Sequence, residues 1–122
     1  MTCDPNKRSS GACGSDKERL AAAYLDRQGL SLVARNYRCR GGEIDLVLRD
    51  GRNLVFVEVR YRRSSRFGSP AETVTASKQR RLITAASHFL QRHPTELACR
   101  FDVLAITGND RIQWIRDAFR VD

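Results

Sequence analysis

Residues 41–62 decide the fold, and their sequence is GGEIDLVLRDGRNLVFVEVRYR. Two apolar runs within this stretch, 43–48 and 54–61, have the alternation and the β-branched residues that are typical of strands. The dipeptide Asp50-Gly51 between them favours a two-residue hairpin turn. Because the second run is apolar on both faces, we expect it to be a central strand. The stretch therefore predicts an antiparallel hairpin in the centre of a sheet.

Three carboxylates interrupt these apolar runs, and the predicted hairpin brings them together. Glu43 would lie opposite Glu58, and Asp45 opposite Phe56. Asp45 would then be a diagonal neighbour of Glu58, with the two backbones roughly 7 Å apart. Counting with a period of two places the three acids on one face together with Arg60. Since an unpaired buried charge is costly, this arrangement predicts a bound cation.

The expected cation is Mg²⁺ or, in its place, Mn²⁺. Magnesium takes one or two carboxylates and completes its shell with waters and phosphate oxygens, so Asp45 and Glu58 are the predicted ligands. Such an ion polarises a phosphate and activates a water for phosphodiester hydrolysis. Arg60 is placed to stabilise the charge that develops in the transition state.

Each of these side chains also has a structural explanation. Glu58 and Arg60 could form an ion pair between positions i and i+2 of one strand, and Glu43 could pair with Arg38 or Arg40. A single aspartate on a strand is usually solvated. Three carboxylates and an arginine on one face favour the metal site over these explanations.

Outward from the hairpin, the N-terminal side predicts a helix and a strand. Residues 15–28 have apolar residues at helical spacing, and Gly29 is the expected C-cap. Ser15 and Glu18 have the spacing of a capping box. The next run, 30–37, is a mixed strand. Before the helix, residues 1–14 are charged, rich in Ser and Gly, and expected to be a disordered tail.

The C-terminal side predicts a helix over about 75–92, ended by His93-Pro94, and strands at about 98–106 and 111–115. Residues 108–110 form the turn between these strands. The order is α-β-β-β-α-β-β, which predicts an α/β fold with a mixed sheet flanked by helices. Apart from the tail, residues 15–122 are expected to form a single domain.

The composition points to a polyanionic partner. The 122 residues carry a net charge of +8, and the bases are 19 arginines and three lysines. The planar guanidinium suits phosphate oxygens, although codon usage in a GC-rich genome would also favour arginine. Arg62, Arg63 and Arg66 follow the central strand, and Arg80 and Arg81 begin the next helix. Together they predict a phosphate track that recognises the structure of a nucleic acid and not its base sequence.

The cysteines and the apolar segments argue against several classes of protein. The four cysteines form neither a C-x-x-C pair nor a disulfide framework, and we expect Cys99 to be buried. No stretch has the length of a membrane span. The first 15 residues lack the apolar core of a signal peptide, so we expect a cytoplasmic protein.

The strings GGEIDLVLRDG, LVFVEVRYR, FGSPAETVTASKQRRL, CRFDVLAIT and IRDAF closely resemble the YraN-type family of bacterial proteins. The resemblance covers about residues 17–119. That family is similar to archaeal Holliday-junction resolvases and to the PD-(D/E)XK nuclease superfamily. The resemblance implies a restriction-endonuclease-like α/β fold, Mg²⁺-dependent cleavage of branched or structured DNA, and a homodimer.

The superfamily pattern of a helix acid, an Asp and an E-x-K motif falls on Glu18, Asp45 and Glu58 in this chain. Glu18 could equally be the capping-box acid. The departure is Arg60, which stands where the superfamily has lysine and which cannot lose its proton to act as a base. Lys78 could supply the missing amine, or it could be an exposed lysine that contacts phosphate or solvent.

Three functions remain open from the sequence. The first is a metal-dependent endonuclease. The second is a nucleic-acid-binding module that keeps the fold without the reaction, as Arg60 would allow. The third is a protein-interaction subunit that docks through residues 111–122, where Trp114 is either a docking or a core residue.

Overall fold

The computed structural model describes residues 12–62, 74–108 and 110–120. Two helices and five strands follow in the predicted order: α1 (Ala12–Arg27), β1 (Ser31–Cys39), β2 (Gly42–Asp50), β3 (Asn53–Arg62), α2 (Ala76–Arg92), β4 (Ala98–Thr107) and β5 (Ile112–Phe119). The strands form one sheet in the order β1-β2-β3-β4-β5, with β3 and β4 parallel and the other neighbours antiparallel. This mixed α/β sheet with flanking helices is consistent with a restriction-endonuclease-like fold.

The two helices cover opposite faces of the sheet. On one face α1 packs against β2, β3 and β4 through the buried residues Ala21, Leu25, Leu46, Leu48, Val55, Val57, Leu104 and Ile106. On the other face α2 packs mainly against β2 through Leu82, Ala85, Ala86 and Phe89, which meet Ile44, Val47, Leu54, Phe56 and Phe101. β3 contributes to both clusters, which confirms that it is a central strand with two buried faces.

The ends of the helices follow local sequence signals, with one exception. Gly29 has a φ of +97° and ends α1, as predicted. Thr75 is the N-cap of α2, and its hydroxyl accepts a hydrogen bond from the backbone N–H of Lys78 at 3.2 Å. The predicted capping box is wrong, because α1 begins at Ala12 and Ser15 therefore lies inside the helix. Residues 12–14, which were predicted to belong to the tail, are part of α1. Residues 1–11 lie outside the described part of the chain.

The hairpin turn between β2 and β3 lies one residue further along the chain than predicted. Asp50 pairs with Asn53, so the turn residues are Gly51 and Arg52. Gly51 has a φ of +61°, as the first central residue of a type II′ turn requires. Gly51 is a central residue of both the predicted turn and the observed turn. The sequence alone favours the turn that has Asp50 and Gly51 at its centre.

This shift changes the neighbours of the acidic residues. Phe56 pairs with Val47 and not with Asp45, and the predicted Glu43–Glu58 pairing does not form. Asp45 and Glu58 instead lie next to the last residue pair that joins the two strands. They therefore face each other across the point where pairing stops.

The simple alternation of faces also fails in β2. Ile44 and Val47 both belong to the cluster under α2, whereas Leu46 and Leu48 belong to the cluster under α1. The prediction that Ile44 shares a face with Leu46 and Leu48 is therefore wrong. The neighbouring strand β1 is irregular at the same level, where Asn36 has a φ of +52°. A local irregularity of this kind re-aims side chains along a strand.

The sheet splits beside these acids. The last β2–β3 pair joins Leu46 and Val57. Beyond it β2 stays paired with β1 alone, and β3 stays paired with β4 alone to the end of both strands. We call the gap between 42–45 of β2 and 58–62 of β3 the fork.

Asp102 holds the other end of the sheet together. Its carboxylate is fully buried and accepts hydrogen bonds at 2.9 Å from the Arg100 guanidinium, the Trp114 indole N–H and the backbone N–H of Asp117. The same arginine reaches Asp50 at 3.2 Å. These bonds tie β4 to β5 and to the hairpin turn, so Asp102 has a structural role.

Two further expectations can be compared with the described residues. Cys99 is exposed and not buried, because it lies near the start of β4. Trp114 is partly buried and packs edge-on against Tyr24 beside the cluster under α1, as the core alternative predicted. None of the helices in the described ranges combines the length and the apolar character that a membrane span needs.

Candidate acidic site at the fork

Asp45 and Glu58 lie on the two sides of the fork. Asp45 lies in β2 just beyond the residues that pair with β3. Its Oδ2 accepts a hydrogen bond of 2.8 Å from the backbone N–H of Val59. That N–H belongs to the part of β3 that is no longer paired with β2, so the carboxylate replaces a strand as the acceptor. The fork thus fixes Asp45 directly beside Glu58.

The two carboxylates repel each other in a partly buried place. Burial and, after it, the nearby charge of Glu58 raise the pKa of Asp45 to about 8, although the hydrogen bond from Val59 lowers it in part. Burial also raises the pKa of Glu58, and the charges of Arg60 and Lys78 oppose this effect. Two like charges in such a site require a proton or a cation between them.

Two more acids contribute to this negative field. Burial raises the pKa of Glu18 on α1, although a hydrogen bond from Asn36 and the charge of Arg35 lower it. The charges of Glu18 and Glu43 both raise the pKa of Asp45. Glu18 therefore faces the site and is not a capping residue. Glu43 is exposed, and its Oε1 lies 3.7 Å from Nε of Arg38, which is the ion pair that the sequence left open.

Arg60 pairs with Glu58, as the alternative explanation predicted. The distance between Nη1 of Arg60 and Oε2 of Glu58 is 3.6 Å. The Nε of Arg60 is buried and finds no hydrogen-bond acceptor within the described part of the chain. An unsatisfied buried donor is costly, so this guanidinium has hydrogen-bonding capacity left for an acceptor that enters the fork.

Helix α2 brings Lys78 to the same place. A Cβ on Gly42 would overlap with the backbone oxygen of Arg81 and lie 2.9 Å from the backbone nitrogen of Ala85. Glycine is therefore required for the close contact between β2 and α2. This contact sets the first turn of α2 beside the fork, where the charge of Lys78 acts on Glu58.

The acidic pair suits a hard cation better than a closed metal cage. In the described residues no three His, Cys, Asp or Glu side chains are grouped closely enough to hold an ion by themselves. Magnesium does not need such a group, because it commonly uses one or two carboxylates and keeps waters and phosphate oxygens. The mutual repulsion of Asp45 and Glu58 fits this requirement.

Basic side chains lie on both sides of the fork. Three arginines of the predicted phosphate track are described. Arg62 lies at the end of β3, and Arg80 and Arg81 are exposed near the start of α2. The other two, Arg63 and Arg66, lie outside the described residues. A second group, which the phosphate track predicted from the sequence did not include, consists of the exposed residues Arg35 and Arg38 on β1 and Arg40 in the turn after it; together they are called the β1 arginines. Only the sheet order reveals it, since β1 neighbours β2 on the side away from β3.

The aromatic residues Tyr37, Tyr61 and Phe67 differ in their surroundings. Tyr37 is packed edge-on against Phe89, and its hydroxyl lies 2.6 Å from Nδ1 of His88. Tyr61 on β3 is 44% exposed. Phe67 lies outside the described residues. Of the two described tyrosines, Tyr37 and Tyr61, only Tyr61 therefore has an exposed ring.

Comparison with known proteins identifies relatives along nearly the whole chain. The family model described as Uncharacterised protein family UPF0102 matches residues 17–106. A UPF0102 protein of Nitrosomonas europaea is 53% identical over 113 residues, which cover 91% of this chain and 96% of the relative. One of Nitrosococcus oceani is 54% identical over 114 residues, with 89% and 92% covered. One of Ralstonia nicotianae is 55% identical over 123 aligned positions, with 97% and 94% covered. The chain therefore belongs to the UPF0102 family, the YraN-type family that its motifs resemble.

Proposed function

We propose that the protein is a Mg²⁺-dependent endonuclease that hydrolyses phosphodiester bonds in branched or otherwise structured DNA. The observation that carries this proposal is the pair Asp45–Glu58 at the fork, where burial raises both pKa values and the charge of Glu58 raises that of Asp45 further. Such perturbed carboxylates are characteristic of functional sites. The resemblance to junction resolvases supports the choice of DNA.

The residues at the fork have separate roles in this proposal. Asp45 and Glu58 would hold the ion, and the hydrogen bond from Val59 fixes the orientation of Asp45. The bound ion supplies polarisation of the phosphate and activation of a water. Glu18 lies close enough to act on Asp45 through its charge and would position the attacking water.

The cationic residues would stabilise the negative charge of the transition state. The buried Nε of Arg60 can donate to a phosphate oxygen without first losing a partner among the described residues. Lys78 at the start of α2 adds a second positive charge near Glu58. Preorganised donors of this kind contribute strongly where water is excluded.

The basic groups on both sides of the fork would hold the DNA backbone. Arg62, Arg80 and Arg81 line one side, and the β1 arginines line the other. Contacts of this type bind phosphate without reading bases. Such a two-sided arrangement favours DNA that bends or branches across the site.

Titration calorimetry with Mg²⁺ tests the ion before any substrate is chosen. We expect binding to the wild type, strong weakening in Asp45→Asn, and no change in the control Glu96→Gln, whose side chain is exposed and lies between α2 and β4 at the end of the sheet away from the fork. Equal heats for all three proteins would contradict the metal site.

Cleavage assays then test the reaction. We expect Mg²⁺- or Mn²⁺-dependent cutting of a junction or flap substrate by the wild type and none by Asp45→Ala or Glu58→Ala. Cutting that persists in both variants would come from a contaminating enzyme and would leave the proposal without support.

A non-catalytic DNA-binding module is the second candidate, and the Arg60–Glu58 ion pair favours it. A charged arginine at 3.6 Å from Glu58 competes with a cation for that carboxylate. This candidate predicts salt-sensitive DNA binding without cleavage under any metal. Cleavage that arises only in Arg60→Lys would show that the arginine blocks the reaction.

The resemblance to junction resolvases also suggests a homodimer, since a symmetric junction has two equivalent strands to cut. Light scattering of the protein with and without a four-way junction measures this directly. A strict monomer in both samples would contradict the dimer.

A further inference from the structure

Asn36 of β1 lies across the strand pairing from the acidic site. The residues before and after it pair with Leu46 and Ile44 of β2, so Asn36 stands directly opposite Asp45. Its φ of +52° is left-handed, a conformation that is uncommon outside glycine and is tolerated best by asparagine and a few similar residues. Strands β1 and β2 lie entirely within the described residues and contain no other positive φ.

Both strands change faces at this level. In a regular strand, residues two positions apart share a face. Ile44 and Leu46 instead belong to clusters on opposite faces of the sheet, and Tyr37, the partner of Ile44, packs with the cluster under α2. The alternation therefore breaks at Asn36 and at Asp45. The left-handed backbone of Asn36 supplies the bend that this break requires.

The change of faces places the Asp45 carboxylate in the plane of the sheet. Side chains of a regular strand stand roughly perpendicular to the sheet, whereas the backbone N–H groups point within its plane towards the neighbouring strand. The Asp45 carboxylate accepts such an N–H, that of Val59, at 2.8 Å. A regular strand would direct this side chain to one face, away from that N–H. The bend at Asn36 therefore turns Asp45 into the fork.

The side chain of Asn36 contacts another acid of the site. Its amide donates a hydrogen bond to the carboxylate of Glu18 on α1. Glu18 is partly buried, and it lies close enough to Asp45 for its charge to act there. Because a glutamate side chain has several rotamers, a donor at this place selects the rotamer that faces the site. Asn36 is thus connected to both acids, to one through its backbone and to the other through its amide.

We propose that Asn36 is a positioning residue of the acidic site: its left-handed backbone turns Asp45 into the fork, and its amide orients Glu18 towards the ion that Asp45 would hold. The inference rests on the proposed nuclease function and adds a residue that touches neither ion nor substrate. It also accounts for an asparagine in the middle of a strand, where this residue type is depleted.

Two substitutions separate the role of the backbone from that of the amide. Glycine adopts the left-handed conformation freely, so Asn36→Gly removes only the amide. We expect this variant to bind Mg²⁺ like the wild type in calorimetry. It should cleave a flap substrate with a kcat lowered about 10- to 100-fold and an unchanged KM. Asn36→Ala also strains the backbone, so the affinity for Mg²⁺ should fall together with kcat.

Asp117→Gly is the matched control. Asp117 has nearly the same left-handed φ, +53°, and lies on β5 at the opposite edge of the sheet. Its replacement by glycine makes the same change to the backbone away from the acids, so kcat and the affinity for Mg²⁺ should stay at the wild-type values. An equal loss of kcat in Asp117→Gly and Asn36→Gly would overturn the positioning role, because any such glycine would then suffice.

A double-mutant cycle with Glu18→Ala tests whether the amide acts through Glu18. We expect Asn36→Gly to lower kcat much less in the Glu18→Ala background than in the wild type, whereas unrelated structural losses would multiply. The same cycle in urea unfolding measures the contact without cleavage and should also be non-additive. Additive effects in either cycle, with a wild type that cleaves, would overturn the positioning role alone. A wild type that neither binds Mg²⁺ nor cleaves a flap or a junction would overturn the nuclease function and the positioning role together.

Discussion

Asp45 is the residue whose chemistry depends most on the fold. Its side chain is held by the Val59 N–H, surrounded by the charges of Glu58, Glu18 and Glu43, and partly removed from water. Each of these neighbours except the backbone N–H disfavours the ionised carboxylate. Without a cation, the folded protein therefore keeps a proton on this group up to about pH 8.

The first prediction concerns the pH dependence of stability at this residue. The pKa of Asp45 is about 8 in the folded state and near 3.8 without the fold, so the unfolded chain releases the proton first as the pH rises. The wild type therefore loses stability between about pH 4 and pH 8 relative to Asp45→Asn, which cannot ionise. We expect the variant to be more stable by about 2 to 5 kcal/mol at pH 8 and similar at pH 4, measured by urea unfolding.

Glu96→Gln is the matched control for this measurement, because that carboxylate is exposed and lies just before β4, at the end of the sheet away from Asp45. Its stability should follow the wild type across the range. Parallel pH profiles for the wild type and Asp45→Asn would show that Asp45 ionises normally. Addition of Mg²⁺ at pH 8 should stabilise the wild type and not Asp45→Asn, since only the state with a site gains from binding.

At the scale of the elements, the position of α2 depends on one glycine. The close approach of Gly42 to the backbone of Arg81 and Ala85 leaves no room for a methyl group. We expect Gly42→Ala to lower the free energy of unfolding by about 3 kcal/mol, because helix or strand has to move. Chemical denaturation measures this loss.

The neighbouring glycine provides the control. Gly41 has a φ of +86° but open space around its Cβ position, with Thr84 as the nearest neighbour at 3.7 Å. Gly41→Ala should therefore cost only the backbone strain, about 1 to 2 kcal/mol. A smaller loss for Gly42→Ala than for Gly41→Ala would contradict the packing of α2 on β2.

A second prediction at the scale of the elements concerns the hydrogen bonds to Asp102. Asp102→Ala would leave the Arg100 guanidinium without its main partner inside the protein and would free the Trp114 N–H. Breaking a buried pair in this way typically costs about 3 to 5 kcal/mol. The exposed pair of Arg38 and Glu43 is the contrast, and Arg38→Ala should cost less than about 1 kcal/mol. Equal losses in urea unfolding would argue against a central role for Asp102.

The elements themselves were largely predictable, and the errors have local physical causes. Apolar periodicity, Gly29 and His93-Pro94 were sufficient to place the helices and strands. The turn was misplaced by one residue because Gly51 can occupy either central position, and only the pairing of Asp50 with Asn53 decides between them. The irregularity that turns Ile44 towards α2 has no sequence signal, because it depends on the partner strand β1.

The candidate site shows the same limit. Glu58, Arg60 and Asp45 were found because strand acids in apolar runs are visible in the sequence. The hydrogen bond from the Val59 N–H holds the Asp45 carboxylate beside Glu58, and the predicted diagonal arrangement did not include this bond. The contact of Lys17 on α1 with the ring of Tyr61 on β3 joins elements that are distant in the chain, so no local pattern indicates it.

At the scale of the whole molecule, the charge of +8 should appear in the salt dependence of DNA binding. The logarithm of the affinity falls with the logarithm of the salt concentration in proportion to the phosphates neutralised. Replacing Arg35, Arg38 and Arg40 by alanine together should reduce this slope by about 2. Binding measured at several salt concentrations checks the value.

A variant with the same loss of charge elsewhere completes this experiment. Arg27, Arg49 and Arg52 are exposed at the end of α1, near the end of β2 and in the hairpin turn. Their joint replacement by alanine should change the slope less than the β1 replacement. Identical slopes for both triple variants would mean that the arginines act through total charge and not through a track beside the fork.

The divided sheet also gives a spectroscopic consequence. The Val59 amide has lost its place in the β2–β3 pairing and donates instead to Asp45, so its proton reports on one carboxylate. Its nitrogen and proton chemical shifts should titrate near pH 8 and move again when Mg²⁺ is added. Two-dimensional NMR of the labelled protein could thus follow the occupancy of the fork, cation or proton, from a single backbone resonance.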